Sequence, residues 1–356
     1  MKKKLSALLA CTMLFTLLGG CAPKTPVEDA PQPETPPVSQ PSVEAPEEEE
    51  PTPQEPSDSR PQVNFTVLSG PTGVGAAKLI SDSKDGSTIN NYNVNVVAAN
   101  DEVTAALING STDIAAIATN VAANLSAKTN GNIQVLAINT LGVLYILEKG
   151  DTIHTMSDLS GKTLYATGQG ANPEYALNYL LRKNDVDPSQ VDIQWMTPQE
   201  VTAKMVSEEN AICMLPVPAA TGLMTKDSAV REALSLSAEW DKLDQGALAM
   251  GCVVVRADYA KENPQAVEDF LKDYQASIEY MNDPTQRQDA AKLVAEHGIT
   301  ANEAIAVKAI PQCNLTFLTG EEMHSVLEQY YQVLFEANSA AIGGSMPYDS
   351  FYYGLD

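Results

Sequence analysis

Apolar positions along this chain follow two rhythms in turn. Residues 114–118 and 211–215 are short continuous apolar runs, the pattern of strands buried on both faces. Residues 93–99 alternate polar and apolar, as a half-buried strand does. Between such runs lie stretches with helical spacing, at 101–107, at 172–181 and after Thr197-Pro198-Gln199-Glu200. In the last of these, Thr197 and Glu200 form a capping box with proline in the first turn. Strands that alternate with helices specify a parallel sheet covered on both faces. Two long apolar runs break this order: residues 133–146, interrupted by Asn139, Thr140 and Gly142, and residues 247–255, interrupted by Gly251. Strands average about five or six residues, so 133–146 reads as two strands or as one that passes between two bodies. Residues 139–142 are then a first crossing and 247–255 the return. The remainder is helical. Asn263-Pro264 opens a helix with Val267, Phe270, Leu271, Tyr274 and Ile278 on one stripe, and Thr300 with Glu303 and Thr319 with Glu322 mark two further starts. These helices follow the return, so they are expected to pack on the first body, with their aromatic residues in its core.

A repeat lies inside the pattern. Glu102-Val103-Thr104-Ala105 recurs ninety-eight positions later as Glu200-Val201-Thr202-Ala203. Ile114, Ala122, Leu125 and Lys128 recur at the same offset as Ile212, Ala220, Leu223 and Lys226. Residues 66–73, a strand entering a glycine turn, have a partner in 163–170, with Gly73 matching Gly170 at an offset of ninety-seven. Each unit reads strand, glycine turn, helix, strand, helix, strand, helix. The expected fold is therefore α/β, with two similar lobes: residues 63–141 with 250–356, and residues 142–249.

Ligands of open α/β sheets bind beyond the carboxyl ends of the strands, so facing lobes would bring both glycine turns to one cleft. Gly70, Thr72 and Gly73 form the first turn. Gly168, Gln169, Gly170, Ala171 and Asn172 form the second, with Asn172 expected as the helix N-cap and Pro173 in the first helical turn. A helix N-terminus presents unpaired N–H groups and a positive dipole end, which suits a carboxylate, a sulfonate or a similar anion. Thr119, Asn120, Asn139, Thr140 and Pro216, the last from Pro216-Val217-Pro218, complete the rim, with Tyr145 or Tyr165 as a stacking face. None of these turns carries Arg or Lys. A small molecule with one anionic or carbonyl end and a neutral body is expected there.

Composition narrows the chemistry further. The formal charge is −24, which opposes a broad basic face for nucleic acid or anionic lipid. His154, His297 and His324 fall in no glycine turn, and no His or Cys pair has metal spacing. No metal and no cofactor are expected. Ser69 lacks a nucleophile-elbow context, Thr72-Gly73-Val74-Gly75 lacks the lysine of a phosphate loop, and Gly168-Gln169-Gly170 holds two of the three glycines of a dinucleotide fingerprint. His297 closes a helix before Gly298, a place that favours partial positive charge. Cys213, Cys252 and Cys313 read as small buried side chains. Cys252 and Cys313, both in the first lobe, are the pair that could approach each other.

The N-terminus has a different character. Lys2, Lys3 and Lys4 precede an apolar stretch, 5–18, that ends in Leu18-Gly19-Gly20-Cys21, so residues 1–21 read as a signal segment. In residues 22–62, twelve of forty-one are proline and ten are acidic. A segment of that composition cannot bury a core and is expected to be a disordered, extended linker.

Leu18-Gly19-Gly20-Cys21 resembles a bacterial lipobox, which implies a lipidated Cys21 as the mature N-terminus. An ordered set of motifs goes with it: Gly70-Pro71-Thr72-Gly73, Glu102-Val103, Asn109-Gly110, Asp113-Ile114-Ala115, Ala166-Thr167-Gly168-Gln169-Gly170-Ala171-Asn172-Pro173, Met214-Leu215-Pro216 and Met250-Gly251-Cys252-Val253-Val254-Val255. Together, over residues 63–356, these resemble substrate-binding lipoproteins of ABC importers in the nitrate, sulfonate, taurine and thiamine-pyrimidine group. The resemblance implies a two-lobed type II periplasmic-binding-protein fold, each lobe a mostly parallel sheet flanked by helices, joined by two crossing segments. It also implies a monomer, not an enzyme, that closes on a small molecule outside the cytoplasm and delivers it to an ABC permease and ATPase. The Cys21 lipid would hold it at the cell membrane. Val217 stands where relatives often have an acidic residue between two prolines, which removes one polar contact. Two other readings share the fold. One is an enzyme of cofactor-precursor biosynthesis, opposed by the lipobox and by the histidine-free turns. The other is a receptor that signals to a membrane sensor.

Overall fold

The computed structural model describes residues 59–355. The signal segment, Cys21 and the linker up to residue 58 lie outside the described residues. The chain enters a first sheet through β1 (Gln62–Leu68), β2 (Asn91–Val97), β3 (Ile114–Ala118) and β4 (Ile133–Thr140). It then builds a second sheet from β5 (Leu144–Lys149), β6 (Thr163–Ala166), β7 (Asp192–Trp195), β8 (Ala211–Pro216) and β9 (Val230–Ser235). It returns to the first sheet through β10 (Gly251–Arg256) and β11 (Leu315–Leu318). The long apolar run 133–146 is two strands, and the chain passes between sheets at 141–143 and again at 242–250.

Helices fill the connections. In the first lobe they are α1 (Pro71–Val74), α2 (Ala77–Lys84), α3 (Asn100–Asn109) and α4 (Thr119–Lys128). In the second they are α5 (Asn172–Lys183), α6 (Pro198–Ser207), α7 (Ala219–Lys226) and α8 (Leu236–Asp241). After the return come α9 (Ala257–Glu262), α10 (Pro264–Asn282), α11 (Arg287–Glu296), α12 (Glu303–Ala309) and α13 (Gly320–Asn338).

The internal repeat is a repeat of topology. The first sheet runs β11-β4-β10-β3-β1-β2 and the second β7-β6-β8-β5-β9. In each, the strand that has just crossed from the other lobe is antiparallel to both its neighbours, β10 between β3 and β4, and β5 between β8 and β9. In the first sheet β4 is antiparallel to its edge neighbour β11 as well. The helix pair α3 and α6 starts ninety-eight residues apart, as the Glu-Val-Thr-Ala repeat requires. The local reason at α6 is the expected capping box: Thr197 Oγ1 accepts from the Glu200 N–H at 3.3 Å, and the Glu200 carboxylate accepts from the Thr197 N–H at 2.8 Å.

Several expectations need correction. α12 is capped by Asn302, whose Oδ1 accepts from the Ile305 N–H at 3.0 Å, rather than by Thr300. Thr319 is the N-cap of α13 but makes no side-chain cap bond. The strand β11 interrupts the C-terminal helices at the edge of the first sheet. Those helices also do not confine themselves to the first lobe. Tyr330 of α13 stacks beside Trp240 of α8 with ring centres 5.7 Å apart, and Trp240 lies 5.2 Å from Tyr179 of α5. Phe270, Tyr274, Tyr330 and Tyr331 are all fully buried, as core residues should be.

Candidate functional site

The carboxyl ends of β1, β3 and β4 face those of β6 and β8, and the two sheets meet through polar side chains at these ends. Asn172 is the hub. It was expected to cap α5, but Ala171 holds the N-cap position and makes no side-chain bond there. Asn172, wholly buried, turns its side chain across to the other lobe. Its Nδ2 donates to Thr119 Oγ1 at 2.8 Å and to the Met250 carbonyl at 2.7 Å, while its Oδ1 accepts from the Tyr330 hydroxyl at 3.1 Å. The Thr119 hydroxyl donates to the Ala249 carbonyl at 2.6 Å, and its own carbonyl accepts from the Tyr331 hydroxyl at 2.8 Å. Asn120, beside it, donates through Nδ2 to the carbonyls of Gly170 and Ala341, both at 3.4 Å.

A second group sits deeper in the first lobe. Asn139 donates to the Tyr274 hydroxyl at 2.8 Å and to the Thr72 carbonyl at 3.3 Å. Gly251 lies against both, since a Cβ there would come within 2.3 Å of Thr72 Cγ2 and 2.7 Å of Asn139 Oδ1. Three oxygens at these strand ends are buried without a protein partner among the described residues: Asn120 Oδ1, Asn139 Oδ1 and Thr140 Oγ1.

A cavity of about 270 Å³ opens at this edge, between the second glycine turn and the helices α3 and α4. Of the residues singled out from sequence, Asn120, Gln169, Gly170 and Ala171 line it. Thr119 and Asn172 form the bridge beside it, and Thr72, Asn139 and Thr140 lie in the core behind it. Gly70 takes φ +100° with open space at its Cβ position, and Gly73 belongs to the packing of the first lobe. A Cβ on Gly73 would stand 2.6 Å from the Leu68 carbonyl oxygen. Gly168 takes φ +92°, and a Cβ there would strike the Pro173 ring at 2.5 Å. Pro216 ends β8 and pairs with Leu144. Tyr145 is half-buried on β5, and burial first, then the Glu232 carboxylate, raise its pKa above the ordinary tyrosine value. Tyr165 does not serve as a stacking face for the turns. Its hydroxyl donates to Glu208 at 2.8 Å and Lys204 lies over its ring, both on the side of α6.

Sequence reasoning missed Asn100, Asp101, Thr104, Asn124 and Lys128, which complete the cavity wall. The signal was there. Asn120, Asn124 and Lys128 recur every four residues, a polar stripe on α4, and Asn100 and Thr104 have the same spacing on α3.

Other candidate chemistry is absent among the described residues, where no group of three metal-ligating side chains is found. Cys213, Cys252 and Cys313 are buried free thiols, and burial pushes Cys213 and Cys313 each up to about 12. His297 was expected at a place that favours partial positive charge, and the shift runs the other way. Burial, and then the charge of Lys84, lower its pKa below the ordinary histidine value.

Residues 133–291 match the family model described as NMT1/THI5 like. Among solved structures, the chain superposes on an ABC transporter protein from Parabacteroides distasonis with a TM-score of 0.67 and 24% identity, covering 82% of this chain and 98% of that one. The aliphatic sulphonate binding protein SsuA of Escherichia coli follows at TM-score 0.64 and 16% identity, over 80% and 94% of the two chains. The nitrate-binding protein NrtA of Synechocystis PCC 6803 superposes at TM-score 0.53 and 13% identity, over 74% and 75%. The fold is that of the two-lobed periplasmic binding proteins. A search of the curated proteins gives no match. The family model over residues 133–291 and the fold of these neighbours agree with the nitrate and sulfonate group that the sequence resembles. In this binding-protein fold, no helix among the described residues is long and apolar enough to cross a membrane.

Proposed function

We propose that this chain is a solute-binding protein that captures a small molecule between its lobes outside the cytoplasm and hands it to an ABC importer. The observation that carries the reading is the cavity bounded by both lobes, lined by α3 and α4 of the first and by Gln169, Gly170 and Ala171 of the second. Chemistry that would make it an enzyme finds little support there. The cavity is lined by no histidine or cysteine, and the three buried thiols have pKa values raised by burial, the opposite of an activated nucleophile. The neighbours' description as transporter binding proteins supports the importer as partner. The Leu18-Gly19-Gly20-Cys21 ending supports a lipid anchor at Cys21, with the acidic, proline-rich linker as a tether.

Native mass spectrometry of the protein as purified is expected to show a bound small molecule that is lost on unfolding. Cells lacking the chain are then expected to lose uptake of that molecule. A bare protein mass contradicts solute capture, and unchanged uptake contradicts delivery to an importer. Cys21→Ser is expected to release the protein from the membrane fraction or leave the precursor uncleaved; retention with normal processing contradicts the anchor.

A further inference from the structure

The cavity is a groove with a direction. The strands β1, β2 and β3 are parallel. The helices α3 and α4 follow β2 and β3, so both start at the carboxyl ends of their strands and run the same way along the sheet. The wall takes residues from the start and from the end of each helix, Asn100 and Ile108 from α3, Asn120 and Lys128 from α4. At a helical rise of about 1.5 Å per residue, the groove from Asn120 to Lys128 is about 12 Å long. The loop Gln169-Gly170-Ala171 closes the end where the helices start, with the Gly170 carbonyl 3.4 Å from Asn120 Nδ2.

The two ends of the groove carry opposite charge. Asp101, in the first turn of α3, lines the loop end. Glu174 stands at that end too, its carboxylate accepting from the Gly170 N–H at 2.7 Å. Lys128, in the last turn of α4, is the one basic side chain of the wall. Both Asp101 and Lys128 are exposed, and neither side chain makes a hydrogen bond or an ion pair among the described residues. Val121, Leu125 and the exposed Ile108 give the stretch that leads to Lys128 an apolar side. An anion beside Gly170 would meet two carboxylates; at the far end it would meet an ammonium.

We propose, resting on the solute-binding reading above, that the solute is elongated and dipolar, with an ammonium at Asp101 beside the glycine loop, an apolar stem along Val121 and Leu125, and an anionic group at Lys128. This moves the anionic end away from the glycine turns, where the sequence suggested it. It also makes length a criterion. A compound too short to span the groove satisfies one of the two charges and gains only a single exposed ion pair, a weak interaction in water.

The test is calorimetric titration of the full chain, refolded free of bound molecules, with 8-aminooctanoate, octylamine, octanoate and 3-aminopropanoate. The first of these is expected to bind about fivefold tighter than octylamine or octanoate, the gain of one exposed ion pair, and far tighter than the short 3-aminopropanoate. Lys128→Met is expected to bring 8-aminooctanoate down to the affinity of octylamine, and Asp101→Asn to bring it down to that of octanoate, with Tm recorded to show that each variant folds. Equal binding of 8-aminooctanoate and either singly charged compound overturns the proposal, as does tight binding of 3-aminopropanoate. Variants that bind 8-aminooctanoate as wild type does also overturn it. Failure of all four probes overturns it too, yet leaves solute capture standing if the protein as purified carries a small molecule; if that protein is bare, both fall.

Discussion

The two lobes share a strand order and a helix register, yet they finish their glycine turns in opposite ways. In the first lobe the turn docks on apolar core. A Cβ on Gly75 would press on Ile278 Cδ1 at 2.3 Å, and the Gly75 carbonyl is held by the Ser277 hydroxyl at 2.6 Å. At the offset of ninety-seven, the second lobe has Asn172 in place of Gly75, and that residue reaches out of its own lobe to Thr119, Met250 and Tyr330. One turn closes its own lobe, and the other ties the two lobes together. The side chains around the cavity divide the same way. The first lobe supplies Asn100, Asp101, Thr104, Asn120 and Asn124, while the second supplies the loop Gln169-Gly170-Ala171. A duplicated fold has thus kept side-chain chemistry on one face and a shaped loop on the other.

Breaking the bridge should have the largest effect. Asn172→Leu leaves the Tyr330 hydroxyl unpaired in a buried site and takes one of two bonds from the Thr119 hydroxyl and from the Met250 carbonyl, and an unpaired buried group costs roughly 1–3 kcal/mol. A loss of about 3 kcal/mol is expected from denaturant midpoints, a drop that the conservative Asn172→Gln should not repair because its amide is displaced by a methylene. A loss within experimental error would show that the lobes do not depend on this bridge.

The second turn separates steric need from conformational need. At Gly168, with φ +92° and the Pro173 ring in the way, Gly168→Val should cost about 2–3 kcal/mol. Gly170, at φ +74°, has open space around its Cβ position, so Gly170→Ala should cost only about 1 kcal/mol, the left-handed penalty alone. Equal losses at the two positions would remove the distinction.

Each lobe also carries an Arg–carboxylate pair at the end of its sheet away from the cavity, and the pairs are unequal. In the second lobe, Glu148 is 2% exposed and accepts from Arg231 at 2.6 Å. In the first, Arg256 lies 3.5 Å from Asp113. Burial pushes the Glu148 carboxyl up, but the Thr152 hydroxyl and N–H, the Ile153 N–H and Arg231 outweigh it and leave the pKa below the ordinary value. A carboxyl depressed in the folded state contributes its stability fully above the unfolded value, about 4.3, and loses it as pH falls through the folded one. Arg231→Ala should cost about 1–2 kcal/mol at neutral pH, moderated because Arg231 is a third exposed, and should make acid unfolding less steep. The smallest effect belongs to His297. Its depressed pKa means stability present above about 6.5 and lost as pH falls below it. His297→Gln should flatten a slight decline in Tm between neutral pH and pH 5.

Much of this architecture was legible in the sequence, because strand and helix periods survive in the burial pattern. The strand β3 and the start of α6 fall where the apolar run and the capping box put them. The repeat was legible because a duplicated topology keeps equivalent helices at a constant offset. The bridge was not. Asn172, Thr119 and Thr300 carry side chains that suit a helix cap, and local rules cannot tell that two of them are drawn away by partners 53 to 158 residues distant. Nor could a local rule see that the Gly170 N–H, ahead of α5, would be taken by the Glu174 carboxylate. The strand β11 escaped notice because four residues between helices, one buried and three half-buried, carry almost no period.

The central claim is that the solute occupies the cavity between the α3–α4 face and the second glycine turn. Thr104 lines that cavity, and its hydroxyl is used only within its own helix, bonding the Asp101 carbonyl at 3.0 Å. Thr104→Trp would fill the space without touching the bridge. Native mass spectrometry of wild type and Thr104→Trp, purified side by side with Tm recorded for each, decides the matter. The account predicts that the variant keeps its Tm as a bare protein and loses the bound small molecule that wild type carries; a variant that folds normally and retains the same bound molecule would contradict it.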